Sequence, residues 1–453
     1  MKKVILIFII LNQYSCYSQC WNFVDSGGNN TFAIKSDGTL WGTGSNNYGQ
    51  VGNGGNSSNP PVLNFVEINN PSQWLTVSSS SIFTHAIKSD GTLWAWGSNL
   101  GGGIGNGAST SNNYYYPIQI GTNNNWKFIH NRNTSFGIKT DGTLWGWSGG
   151  ILGNGSNIGS SVPIQIGTGT NWKSICRNIN TTTFAIKTDG TLWGWGQNSY
   201  GELNNGSTST VYTPIQIGND NKWKDIQSGD NNYLGLKTDG TLWSWGQGYF
   251  GQLGNGSPDS NYTITQIGSE NDWDKIAASR NSNCFAIKVN KTLWGWGRNA
   301  GFSLGNGTET NILSPTQIGI DSDWQMVSAG GASSIGLKTD NSIYVWGFAE
   351  LGALGNGGGA IVTVPTALGT CTLANENFTK TQITIYPNPT KNTLNITTTI
   401  PLHKIIIYNL LGAKVYEQAF NESIDVSNFA SGVYVVKFYG EDNVVFVEKI
   451  VKE

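Results

Sequence analysis

Between residues 20 and 370, apolar and polar residues alternate in short runs bounded by Gly, Asn, Asp or Ser. A period of two over so few residues predicts strands, because successive side chains on a strand point to opposite faces. Phe184-Ala-Ile-Lys187 and Leu192-Trp-Gly-Trp195 flank Asp189-Gly190, a pair suited to the tight turn of a hairpin. The segment opening at Trp172 and the segment Pro214-Ile-Gln-Ile217 supply two more strands. Along the strand, Trp193 and Trp195 share one face while Leu192 and Gly194 share the other.

The four-strand unit repeats. The Asp position of Thr188-Asp-Gly-Thr-Leu-Trp-Gly-Trp-Gly196 recurs at 37, 90, 141, 189, 239, 290 and 340. A tryptophan followed three residues later by an apolar residue falls at 21, 74, 126, 172, 223, 273 and 324. A Leu-Gly-Asn-Gly-type turn ends at Gly54, Gly107, Gly155, Gly206, Gly256, Gly307 and Gly357. Three marks give seven units of about 50 residues, which predicts an all-β, seven-bladed β-propeller over residues 20–371. A solenoid is the alternative, disfavoured by the absence of capping repeats. All 19 tryptophans occupy repeat positions, so they are expected in the core. The small residue after the first tryptophan of the third strand (Gly42, Ala95, Gly146, Gly194, Ser244, Gly295) is expected to receive an indole from the next blade. The exceptions, Val345 in the last unit and Thr43 in the first, are expected to compensate each other where the ring closes.

The pattern Ala185-Ile-Lys-Thr-Asp-Gly-Thr-Leu-Trp-Gly-Trp-Gly-Gln-Asn-Ser-Tyr-Gly-Glu-Leu203 resembles the regulator of chromosome condensation repeat, a seven-bladed propeller family. That family includes a nuclear nucleotide-exchange factor and a bacterial β-lactamase inhibitor protein, so the resemblance implies a fold and not one activity.

After Cys371 the tryptophans stop. A polar linker, 372–380, precedes short strands over 381–453 that predict a small antiparallel β-sandwich. Tyr386-Pro387-Asn388-Pro389, Asn409-Leu-Leu-Gly412, the turn around Gly432 and Lys449-Ile-Val-Lys452 resemble the C-terminal sorting domain of type IX secretion substrates. The resemblance implies handling by the type IX machinery and a final place outside the cell or on its surface. An accessory sandwich with its own ligand is the alternative. Residues 1–19 carry Lys2-Lys3, an apolar run Val4–Leu11 and small polar residues, which predicts a secretory signal peptide too short to span a bilayer. Lipidation at Cys16 or Cys20 is the alternative there.

Composition narrows the chemistry. Only 12% of residues are charged and the net charge is −2, so nothing marks a nucleic-acid or anionic-membrane surface. His85, His130 and His403 have no partner at metal-ligand spacing, and no Cys-x-x-Cys or phosphate-cradling glycine motif occurs. No cofactor, metal or catalytic residue is expected. The repeated Asp-Gly pairs read as turns rather than calcium loops, as do the acidic stretches Glu270–Asp272 and Asp321–Asp323. Cys20 and Cys371 flank the ring and form a candidate disulfide, with two free thiols as the alternative; Cys176 and Cys284 are expected to be isolated and buried. Binding through loops is the expected function, for a protein or glycan partner, with inhibition of a secreted enzyme as the alternative. The candidate partner-binding residues are Tyr48, Tyr200 and Phe250 after the Trp-Gly motif, and Tyr114, Tyr115 and Tyr116 after the Leu-Gly-Asn-Gly turn of unit two. The stretch 55–71 of unit one reads as a further loop insertion.

Overall fold

A computed structural model describes residues 20–55, 61–68, 73–108, 110–178, 180–348, 350–358, 360–368, 383–398, 401–409, 413–440 and 445–453. The predicted signal peptide 1–19, the linker 372–380, Cys371 and Gly412 lie outside the described residues. The chain divides into two compact units, the first ending at Cys371 and the second starting at Thr372.

The first unit is a seven-bladed propeller of seven four-stranded antiparallel sheets, each made of four consecutive strands. Blade four shows the construction, with strands Trp172–Arg177, Thr183–Lys187, Leu192–Gly196 and Val211–Gln216. The second and third strands are joined at Asp189-Gly190, where Gly190 holds φ 82°, a conformation costly for any side chain. Asp189 Oδ1 accepts the Thr191 amide at 3.0 Å and its hydroxyl at 2.7 Å, and Trp193 Nε1 donates to that hydroxyl at 2.9 Å. The same relay recurs from Asp37, Asp90, Asp141 and Asp239. These carboxylates build turns.

The indoles pack between blades. Trp195 is fully buried beside Phe136 of the preceding blade. What makes room for it is the turn glycine of that blade: a Cβ on Gly153 would lie 2.8 Å from Trp195 Nε1. Gly52, Gly105, Gly254 and Gly305 stand in the same relation to Trp96, Trp147, Trp296 and Trp346. The expectation that Gly194 and its equivalents receive an indole is therefore corrected. Those positions face their own sheet, where Gly42, Gly146, Gly194 and Gly295 pair with Phe32, Phe136, Phe184 and Phe285. Where the partner is not Phe, the small residue grows: Ala95 pairs with His85, Ser244 with Leu234 and Val345 with Ile335. Volume is exchanged between neighbouring strands, as close packing requires. Val345 is thus explained by Ile335 rather than by Thr43. The space over Gly355, which an indole fills elsewhere, is taken by Phe65 and the Thr43 methyl.

The lysine ending each second strand is a repeated structural device that the alternation pattern alone does not reveal. Lys187 Nζ sits 3.6 Å from the ring centre of Trp193 and 4.9 Å from that of Trp172, and these indoles meet edge to face. The clamp recurs in all seven blades, with Tyr344 replacing the outer indole in the last. An ammonium over two aromatic faces is attracted by their quadrupoles. The acidic stretches read as turns do more than turn: Glu270 and Asp272 pair with Lys288, and Asp321 and Asp323 with Lys338. Those partners raise Lys338 to about 12 against the opposing effect of burial.

Blades seven and one close the ring without exchanging a strand. Trp21 donates its amide to Asn341 O at 3.2 Å, Gly331 to Gly28 O at 2.7 Å and Gly357 to Leu63 O at 3.0 Å. Thr31 and Thr43 hydroxyls donate to Ala353 O and Gly352 O. The stretch 55–71 proves to contain the fourth strand of blade one, Val62–Glu67, rather than only a loop.

The second unit holds a three-stranded sheet (Ile383–Tyr386, Thr393–Thr398, Ser423–Asp425) and a four-stranded sheet (Leu402–Asn409, Lys414–Ala419, Gly432–Gly440, Val445–Lys452). Ile383, Leu394, Ile405, Ile424, Phe438 and Ile450 share one core between them. Asn388 ties the Tyr386–Pro389 motif to the last strand, donating to Lys449 O at 2.8 Å and accepting from Val451 N at 2.9 Å. Gly432 opens its strand, and Tyr434 anchors the turn before it by donating to Ala430 O at 2.7 Å. No helix among the described residues is long and apolar enough to cross a membrane.

Candidate functional site

Antiparallel succession places the loops after first and third strands at one end of the propeller, and the Asp-Gly turns at the other. The third-to-fourth loops are arches held from within. Asn46, Asn99, Asn198 and Asn299 each accept, through Oδ1, the amide of the residue five positions on. A second tie fixes the outward residue: Tyr48, Tyr200 and Phe250 donate their amides to Gln50, Glu202 and Gln252 at 2.9, 3.0 and 2.9 Å. Side chains raised on such arches lose little freedom when a partner arrives.

Tyr200 is 59% exposed and stacks on Tyr262 of the next blade, ring centres 5.4 Å apart and 12° from parallel. The pair floors a cleft of about 660 Å³ walled by Asn204, Ser207, Thr208 and Thr263. Tyr249 stands beside it, 64% exposed, close enough to act electrostatically on Tyr262. Phe250 lies under the Arg298 guanidinium, 5.0 Å from its ring centre. Tyr114, Tyr115 and Tyr116 are not loop residues; they belong to the fourth strand of blade two, Asn113–Gln119. Tyr115 and Tyr116 cover Gly49 and Gly54 of blade one, and Tyr114 accepts from Asn106. The structure therefore gathers Tyr200 with Tyr262 and Tyr249, which the repeat pattern does not single out, and lays Tyr115 over Gly49, the chain neighbour of Tyr48. Tyr262 was findable, because it stands four residues before the strand-ending Gln266, as Tyr115 does before Gln119 in blade two.

The first strands surround a central channel of about 730 Å³. Its lining is irregular: Phe23, Phe128, Asp225, Lys275 and Met326 occupy equivalent places. At the loop end, Asp25 accepts the Ser79 amide and hydroxyl, and burial raises its carboxyl to about 6. His130 Nε2 accepts the Arg177 amide at 3.2 Å. Burial, with Arg132 nearby, lowers it to about 3, so it is neutral at physiological pH. His85 lies between Phe83 and Trp147, and burial lowers it to about 3 as well. Neither imidazole is poised for proton transfer near neutrality. Cys176 and Cys284 are buried free thiols, both raised to about 12 by burial, and so are unreactive. Among the described residues no group of three His, Cys, Asp or Glu side chains comes together to hold a metal.

Comparison with known proteins agrees with this architecture. Residues 384–453 match the secretion system C-terminal sorting domain. Residues 22–50, 189–235, 223–252, 239–286 and 292–337 match regulator of chromosome condensation (RCC1) repeats. Yeast RCC1 (Prp20), solved with Kap60, superposes with a TM-score of 0.65 at 19% identity, covering 85% of this chain and 91% of that one. Human WBSCR16 gives 0.64 at 20% identity, covering 71% and 88%. At these identities the likeness shows the fold alone. A protein named ulvan lyase NLR42, from Nonlabens ulvanivorans, is 38% identical over 89 residues. That match spans 18% of this chain and only 17% of the relative.

Proposed function

Starting from a chain that carries RCC1 repeats in a seven-bladed propeller and a type IX sorting domain directing export to the cell surface or beyond, we propose that the propeller is a non-catalytic recognition module. It binds a protein or glycan partner through its loop end. The observation carrying this reading is the stacked Tyr200–Tyr262 pair flooring a cleft edged with hydroxyl and amide groups. Rigid aromatic faces offer apolar contact area while the polar edge supplies directional hydrogen bonds.

The test is retention of the exported full-length protein on glycan and extracellular-protein arrays, compared with a Tyr200→Ala, Tyr249→Ala, Tyr262→Ala variant. Binding lost in the variant supports the reading, and binding unchanged refutes this placement. Stoichiometric inhibition of a secreted hydrolase by the wild type would instead establish the inhibitor alternative.

The same reading includes a covalent staple between Cys20 and Cys371. Its support is that Cys20 is a buried half-cystine whereas Cys176 and Cys284 are free. A loop that long gives on the order of 5 kcal/mol in the chain-entropy account. Non-reducing peptide mapping that found Cys371 as a free thiol would reject the pairing.

A further inference from the structure

The chain contains four arginines, Arg132, Arg177, Arg280 and Arg298, against 22 lysines. All four lie at the loop end, on blades three, four and six, and at non-equivalent repeat positions. Nothing in the repeat requires them. Arg132 crosses the channel to donate to Ser228 O, to Gly229 O at 3.4 Å and to Ala278 O at 3.3 Å. Arg280 reaches from blade six to Ser81 Oγ of blade two at 2.9 Å. Arg177 donates to Ile151 O at 2.7 Å, and Arg298 to Asn281 Oδ1 at 2.6 Å.

Every ion pair found among the described residues is made by a lysine. Among the described residues, Asp25 lies near Arg132, and Asp230 near Arg132, Arg280 and Arg298; both carboxyls are pushed upward by burial. Buried charge without a counter-charge is costly, and guanidiniums are the groups whose planar forks match oxyanions. One fork is unsatisfied: Arg280 Nη2 is buried without a hydrogen-bond partner, on a residue of the channel lining. Arg132 and His130 line the same cavity.

We propose that the loop-end mouth of the channel binds an oxyanion, a carboxylate or sulfate group on a ligand small enough to enter a cavity of about 730 Å³. Arg280 Nη2 supplies the first contact, and Arg132 and Arg298 supply the field. The site is separate from the tyrosine cleft and stands or falls without it.

Isothermal titration of the full-length protein tests this with sodium sulfate, sodium acetate and sodium D-glucuronate, against sodium chloride and D-glucose at matched ionic strength. Saturable one-to-one binding of at least one oxyanion is expected, with none of chloride or glucose. Binding of sulfate alone would point to sulfate esters, and binding of glucuronate to acidic sugars. Arg280→Gln is expected to weaken binding at least tenfold. Arg280→Lys, which keeps the charge and loses the fork, should weaken it less, and Tyr200→Ala should leave it unchanged. Should Arg280→Gln fail to fold by tryptophan fluorescence, Arg298→Gln replaces it, with an expected loss of at least threefold. No saturable binding, chloride binding equal to sulfate, or full binding in a folded arginine variant would overturn the proposal.

Discussion

The hairpins formed by second and third strands are near copies in every blade, whereas the first strands around the channel share little beyond their tryptophan and the apolar residue three positions on. One region repeats Lys over two aromatics, Asp or Asn accepting from Thr or Ser, and a volume-matched pair between strands. The other sets Phe23 against Asp225, Lys275 and Met326 at equivalent places, and adds Arg132 and Arg280 just beyond the first strands of two blades. Repetition here marks what a blade needs in order to pack on the next. Departure from repetition marks residues that packing does not explain.

The sharpest way to break this contrast is to cut into each region and compare losses. Trp195→Ala removes a fully buried inter-blade indole and is expected to cost about 3–5 kcal/mol, read by denaturant unfolding of the propeller. Gly194→Val alone should cost about 1–3 kcal/mol by overpacking Leu203 and Phe184. Adding Phe184→Ile, which recreates the Ile335–Val345 pair, should recover about half of that loss or more. Failure to recover would mean that the volume exchange is not local.

The channel carries a different signature, in pH. The raised carboxyl of Asp25 keeps its proton in the folded state while the unfolded chain has lost it, between about 3.8 and about 6. Its contribution to stability therefore falls as pH rises through that window, by up to about 3 kcal/mol. Asp25→Asn should be closest to wild type at pH 4 and gain on it by pH 7. A constant difference across that range would show that the carboxyl is not shifted. Among the clamps, Lys338→Met strands Asp321 and Asp323 and is expected to cost about 1–2 kcal/mol, while Lys187→Met, with no such pair, should stay within about 1 kcal/mol of neutral. The smallest effect belongs to Tyr200→Ala, within about 0.5 kcal/mol of wild-type stability because the ring is largely exposed.

The same contrast explains what could be read in the sequence. Blade number, strand count and the tryptophan core follow from marks present seven times, each with a physical reason to recur. The lysine clamp was written there too, as the last residue of Ala-Ile-Lys, yet alternation alone gives no hint that an ammonium sits between two indoles. Gly194 was noticed for its smallness and assigned the wrong neighbour, because one face of a strand meets both its own sheet and the next. The tyrosine cleft needed Tyr200 and Tyr262 brought together from 62 positions apart. The channel mouth depends on side chains from opposite sides of a ring, and no spacing along a chain encodes that meeting.

Ring closure by backbone contacts, with every sheet drawn from one continuous stretch of chain, has a consequence for ancestry. An in-frame duplication or deletion that starts at any first strand moves a whole sheet and leaves no widowed strand at either end. A blade here is therefore a unit of inheritance as well as of packing. The wall can be copied faithfully from one module to the next while each new inner strand drifts toward its own chemistry.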